Sequence, residues 1–210
     1  MKILIIGATG GTGRELVRQA LEQGHIVTAL VRNPRRLAMR HERLTVVEGN
    51  VLDAGAVDRA VQGQDAVLSA LGHKHWIIPS STLSRGTQNI VHAMKQHGVR
   101  RIVCETSLGV GDSVGRLGLY YTLFVIPFIV LFYFLDKGKQ ETIIRQSGLD
   151  WIIVRPAKLT NGRRRGTYRH GPDVGSYILT RSISRADTAE FMLRQLTENT
   201  YLHKSPGVAF

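Results

Sequence analysis

Three glycines carry the first chemistry in this chain. Gly7, Gly10 and Gly13 recur at every third position in Gly7-Ala-Thr-Gly-Gly-Thr-Gly13, directly after an apolar run at residues 3–6 and ahead of a helical pattern. Such a loop turns tightly and lets backbone amides approach a pyrophosphate, which the N-terminus of the following helix attracts. Gly7, Gly10 and Gly13 are therefore candidate cofactor-binding residues. A second strand pattern, Ile26–Val31, ends at Arg32-Asn-Pro-Arg-Arg36. An acidic residue at this distance from the loop would bind a ribose 2′-hydroxyl. Arg32, with Arg35 and Arg36 close behind, suits a 2′-phosphate instead, because a guanidinium binds phosphate through paired hydrogen bonds. The expected cofactor is NADP(H) in preference to NAD(H).

Hydride transfer belongs to such a cofactor, and the protein supplies orientation and a proton. Three residues are catalytic candidates. Ser107 lies at the end of a strand pattern and could hydrogen-bond substrate or nicotinamide. Tyr133 and Lys137 have the Tyr-x-x-x-Lys spacing, in which one helical turn stacks the lysine beside the tyrosine. There the charge stabilises a phenolate and the amine holds the cofactor ribose. His73 and His75 could also donate protons near neutral pH. No metal-ligating cluster is expected.

The elements that must position these residues alternate between strand and helix, which predicts an α/β doubly wound, Rossmann-like parallel sheet with helices on both faces. Strands are expected at residues 3–6, Ile26–Val31, Leu44–Glu48, 65–69, Arg101–Glu105 and 151–154. Helices are expected at Ala54–Val61, at 82–97, through 141–146 and from near Ser184, where Ser184-Arg-Ala-Asp187 resembles a capping box with Asp in place of Glu. In such sheets ligands bind beyond the strand C-termini. Asn50, Val51, Leu71, Gly72, Thr106, Ser107, Pro156 and Ala157 fall there and should gather with the glycine loop along one edge.

Length and composition fit one domain over residues 1–210, with an apolar insertion-like segment at about 109–135. The single cysteine, Cys104, lies in an apolar run, excludes an internal disulfide and reads as a buried inert thiol. No signal-peptide layout opens the chain, so a cytoplasmic location is expected. The net charge of +12 invites anionic ligands, yet no nucleic-acid motif accompanies it, and nucleic acid is not an expected partner. Arg163-Arg-Arg165 between glycines reads as a solvated loop.

Residues 117–135 run for 19 positions without a charge and hold seven of the chain's fourteen Phe, Tyr and Trp residues. By length this is a membrane-span candidate. Its place within a parallel sheet, with Pro127 near its middle, argues against a transmembrane span. Three readings stay open: a buried helix pair, an apolar lid over a planar substrate, or an exposed patch for self-association or peripheral membrane contact.

Taken together, Gly7–Gly13, Leu30-Val-Arg32, Gly63-Gln-Asp-Ala-Val67, Leu71-Gly72, Asn89-Ile-Val-x-Ala-Met-Lys-x-His-Gly-Val99, Thr106-Ser107, Arg145-x-Ser-Gly-Leu149 and Ile183-Ser-x-x-Asp187 resemble an atypical short-chain dehydrogenase/reductase. The chain is most similar to the NADPH-dependent flavin reductase/biliverdin-IXβ reductase group, with NmrA-like proteins as wider relatives, and the similarity lapses from about 109 to 135. The resemblance implies that Gly7, Thr9, Gly10, Gly11 and Thr12 bind the pyrophosphate and that Arg32 holds the 2′-phosphate. It implies that Asn50 and Val51 flank the adenine, although Asp is commoner at the position of Asn50. Leu71, Gly72 and Lys74 would line the ribose and phosphates, and Ser107 would sit near the nicotinamide. The implied activity is NADPH-dependent reduction of a small planar acceptor such as a flavin, quinone or tetrapyrrole. Two alternatives remain at this stage: an NADP(H)-binding redox sensor without turnover, and a carbonyl reductase using Tyr133.

Overall fold

Short runs rich in Ile, Val, Leu and Ala become fully buried strands, as expected where helices cover both faces of a sheet. The computed structural model describes residues 1–72 and 78–210. Its first half runs β1 (Lys2–Ile6), α1 (Gly11–Glu22), β2 (Ile26–Val31), β3 (Leu44–Glu48), α2 (Ala54–Val61), β4 (Ala66–Ser69), α3 (Thr82–Gln96) and β5 (Arg101–Glu105). The second half adds α4 (Leu131–Arg145), β6 (Asp150–Pro156), β7 (Lys158–Thr160), β8 (Arg169–Gly171), β9 (Ser182–Ser184), α5 (Arg185–Arg194) and β10 (Gly207–Ala209). Eight strands form one sheet in the order β3-β2-β1-β4-β5-β6-β10-β8, parallel except for β8, and β7 pairs with β9 separately. The order reverses between β1 and β4, and that switch point opens a crevice beyond the strand ends.

Two apolar layers hold the sheet. One packs α1 and α5 on Ile3, Ile5, Val103 and Val154; the other packs α2 and α3 on Leu4, Ile6, Ile102 and Ile153. The odd and even residues of each strand thus serve opposite faces. Cys104 is fully buried, and burial pushes its thiol up to about 12, which keeps it protonated and inert.

Helix α3 carries no cap of its own at Ser81. Asp136, from α4, supplies one: its carboxylate accepts from the amides of Leu83 (2.8 Å) and Ser84 (3.2 Å) and from the Ser84 hydroxyl (2.5 Å). A buried carboxylate at a helix N-terminus gains from both the free amides and the dipole. Asp136→Ala strands those donors and is expected to lower stability by about 1–3 kcal/mol, measured by urea unfolding. At α5, Ser184 accepts from the Asp187 amide at 2.9 Å, half of the expected capping box. The other half is replaced. Asp187 Oδ1 turns outward and takes the amides of Arg165 and Gly166 at 2.8 and 2.9 Å, which ties down the arginine-rich loop.

The charge-free segment departs from a buried helix pair. Residues Tyr121–Val130 form a π-helix that runs into α4, and none of those ten residues is buried. Pro127 lies inside it without ending it. Together with α4 it makes a 25-residue helix that is long and apolar enough, by length and composition alone, to cross a membrane. Its last half is not available to lipid, since Asp136, Lys137, Gln140, Glu141 and Ile144 are buried against the protein.

Candidate functional site

A cavity of about 670 Å³ opens at the switch point. The strand-to-helix turn after β1 forms its floor. Gly7 has a φ of +85°, and a Cβ there would run into the Ala70 carbonyl at the end of β4. Only glycine lets the two strand ends approach this closely. Gly10, Gly11, Thr9 and Thr12 share the wall, and α1 begins at Gly11 with its free amides directed at the turn. This side suits a phosphate group, because its donors are backbone N–H groups at a helix N-terminus.

At one end, Arg32 and Arg36 both line the cavity. Asn33 accepts from the Arg35 amide at 3.0 Å and caps a short 3₁₀ turn with Pro34 in its first position, which turns Arg36 back toward Arg32. The Arg36 carbonyl is fixed by Arg14 at 2.8 Å. Asn50 and Val51 lie opposite. Asn50 makes an Asx turn to the Leu52 amide (3.2 Å), and Asn89 of α3 donates to the Val51 carbonyl at 2.9 Å.

At the other end Leu71, Gly72, Thr106, Tyr133 and Lys137 close the wall. The Tyr-x-x-x-Lys pair therefore does meet: the Lys137 ammonium lies 5.1 Å from the Tyr133 ring centroid and donates to the Glu105 carbonyl at 3.4 Å. Burial opposes that charge, but Tyr133, Glu105 and Cys104 outweigh it and hold the Lys137 pKa above its ordinary value. The Tyr133 hydroxyl reaches to within 3.4 Å of where a Gly72 side chain would begin.

Four expected residues are not on this wall. Gly13 sits beneath the loop, where a Cβ would strike the Gly7 carbonyl, so its role is packing of α1 against β1. Ser107 donates to the Leu108 carbonyl at 2.9 Å and does not line the cavity. Pro156 ends β6 paired with Val208, and Ala157 packs with Leu108, Val174 and Ala209. Strand β6 lies three places from β1, and of the residues just past its end it is Leu159 that reaches the cavity wall. The expectations for His73, Lys74 and His75 fall outside the described residues.

The structure adds residues that the sequence reading passed over. Glu105, the last residue of β5, lines the cavity and accepts from the Thr12 hydroxyl at 3.0 Å. Burial pushes its carboxyl up, against the pull of Lys137, Thr12 and Arg185. Its place at a strand C-terminus beside Thr106 was the available signal. Arg185 opens α5, packs over Gly11 and is held by Asn161 at 2.7 Å. No local pattern ties residue 185 to residue 11. Below Thr106 a buried ion network completes the site: Thr106 and Arg155 both donate to Glu141, at 2.7 and 3.0 Å, with a second Arg155–Glu141 bond of 2.6 Å.

A family profile described as NAD(P)H-binding matches residues 7–199. Ycf39, a photosystem II assembly factor of Synechocystis sp., is 34% identical over 167 residues, which cover 77% of this chain and 46% of Ycf39. An uncharacterized chloroplastic protein of Arabidopsis thaliana is 30% identical over 210 residues, covering 94% of this chain and 72% of its own. The chain thus spans about half the length of Ycf39. Among solved structures, ChuY, an anaerobillin reductase from Escherichia coli O157:H7, shares the fold with a TM-score of 0.82 and 21% identity, over 100% of this chain and 97% of that one.

Proposed function

This chain belongs to the NAD(P)H-binding family, and from that membership we propose that it is an NADPH-dependent reductase acting on a small planar conjugated acceptor: a flavin, a quinone or a tetrapyrrole. The observation that carries the reading is one continuous cavity, with Arg32 and Arg36 at one end and Tyr133 and Lys137 at the other. The cofactor supplies a hydride when bound. The protein's own residues do the rest. Arg32 and Arg36 pair with the 2′-phosphate, while the amides from Gly10 to Thr12 receive the pyrophosphate. Asn50 and Val51 hold the adenine side. Lys137 donates to a ribose hydroxyl, and its tether to the Glu105 carbonyl keeps the ammonium at the wall. The name of ChuY supports a tetrapyrrole among the acceptors, at the level of shared fold.

Titration with NADPH and NADH, followed by addition of FMN, riboflavin, biliverdin and quinones, tests the reading through loss of the nicotinamide absorbance band. Acceptor-dependent oxidation supports the reductase. A second reading, an NADP(H)-binding regulatory protein without turnover, is favoured by the relative Ycf39, which is named as an assembly factor. Tight binding of both cofactor forms with no oxidation across the panel selects it.

Tyr133→Phe separates the chemistry further. With flavin or tetrapyrrole acceptors, protons come from solvent, and kcat is expected to stay within about twofold of the parent. If Tyr133 Oη is instead the general acid for a carbonyl, the loss is about 10²–10⁴-fold. Steady-state rates with both acceptor types decide between them.

A further inference from the structure

Twelve of the seventeen exposed large hydrophobic side chains among the described residues belong to two segments, 119–135 and 177–179. The fold joins them. The Leu119 amide donates to the Ile178 carbonyl at 3.2 Å, and Leu117 bridges to Ser176. Phe124, Phe128 and Phe132 are exposed along the helix, and Tyr177 and Ile178, also exposed, lie by its start at Leu119. The helix's inner side is already satisfied: Tyr121, Ile126 and Phe134 pack on Leu108 and Leu117. The outer side is just as apolar, with Phe128 78% exposed, so water is the wrong neighbour for it.

We propose that this face docks on the surface of an anionic lipid bilayer. Two arguments choose that occupant. The first is geometric. Both ends of the helix are tied to the protein, at Leu119 by Ile178 and at Asp136 by the start of α3. The free stretch from Tyr121 to Leu135 is at most about 22 Å long, against about 30 Å for a hydrocarbon core. It can lie in the interface and cannot cross. The second is charge. The chain carries +12, and residues 158–181, which hold the Tyr177 strip, contain six basic residues against the single acidic Asp173. Lys158 and Arg181 border the strip directly, with the Lys158 amide bonded to the Arg181 carbonyl at 3.2 Å. Anionic headgroups attract such a body, whereas a second copy with the same charge repels it. Buried apolar area and attraction of the body's positive charge to anionic lipid are the two terms that seat a surface helix in the headgroup boundary.

Co-sedimentation of the full chain with vesicles tests this. Partitioning onto phosphatidylcholine vesicles containing phosphatidylglycerol is expected to exceed that onto phosphatidylcholine alone by about tenfold or more and to weaken as salt rises. The exposed pair Phe124→Glu/Phe128→Glu should cut partitioning by about tenfold or more, with melting temperature and NADPH binding unchanged. Absence of binding to anionic vesicles overturns the proposal, as does binding that survives the double substitution. Sedimentation velocity covers the remaining occupant: a dimer abolished by the same pair, without vesicle binding, assigns the face to a second copy and overturns the bilayer.

Discussion

Arg32→Glu is expected to weaken NADPH binding by about 100-fold or more while leaving NADH binding within a few-fold. Arg32 stands at the end of β2 and lines the adenosine end of the cavity with Arg36. A charge-assisted hydrogen bond to a phosphate contributes about 1.5–3 kcal/mol, which is about 10- to 100-fold in affinity. The substitution also sets a carboxylate against the phosphate, adding repulsion to the lost bonds. NADH has no 2′-phosphate, and a carboxylate there can accept from its ribose hydroxyl, so it should lose little. Fluorescence titration of parent and variant with both nucleotides measures the effect. Equal affinity of the parent for NADPH and NADH would remove the assigned role of Arg32.

The second large effect lies beneath the site. Arg155 is 2% exposed and its guanidinium is matched to Glu141 through two hydrogen bonds, with Asp112 as an outer partner at 2.7 Å. Burial opposes its charge, and these two carboxylates together outweigh that and raise its pKa. Glu141→Leu leaves a buried guanidinium without its principal partner and also strips the acceptor from Thr106. The expected loss is about 3–5 kcal/mol of unfolding free energy, a large share of the roughly 5–15 kcal/mol of a typical domain. Asp112→Ala touches the same arginine from the solvent side, where its own side chain is 79% exposed, and should cost less than about 1 kcal/mol. Urea denaturation of the two variants compares them. Similar losses for both would mean that the network is not held by its buried half.

The phosphate loop was legible because its requirements are local. A strand, a glycine turn and a helix lie within some twenty residues, and the tight turn leaves no choice of residue at Gly7. The basic turn after β2 was legible for the same reason. The alternation of apolar runs with helical patterns pointed to a parallel sheet, since its central strands β1, β4, β5 and β6 are buried on both faces. The structure sets some expected residues off the cavity wall, because neighbours along the chain are not neighbours in space. Ser107 follows Thr106, but successive residues of an extended chain point to opposite sides, so Thr106 reaches the cavity and Ser107 turns to the Leu108 carbonyl. Pro156 and Ala157 also end a strand, yet they are taken up by pairing with Val208 and by packing on Leu108 and Val174, and Leu159 reaches the cavity instead.

By itself the sequence determined the sheet, the glycine turn after β1 and the basic turn after β2, because periodicity and turn chemistry act over a few residues. Only the tertiary structure decided what meets across long separations. It laid Arg185 over Gly11, joined Glu105 to Thr12 and brought Tyr133 and Lys137 onto the cavity wall. It also turned the charge-free segment outward and set Tyr177 to Leu179 beside it. A hydrophobic run carries no record of what covers it. Burial is a property of the packed chain, and here the packing covered one side of the helix and left the other bare.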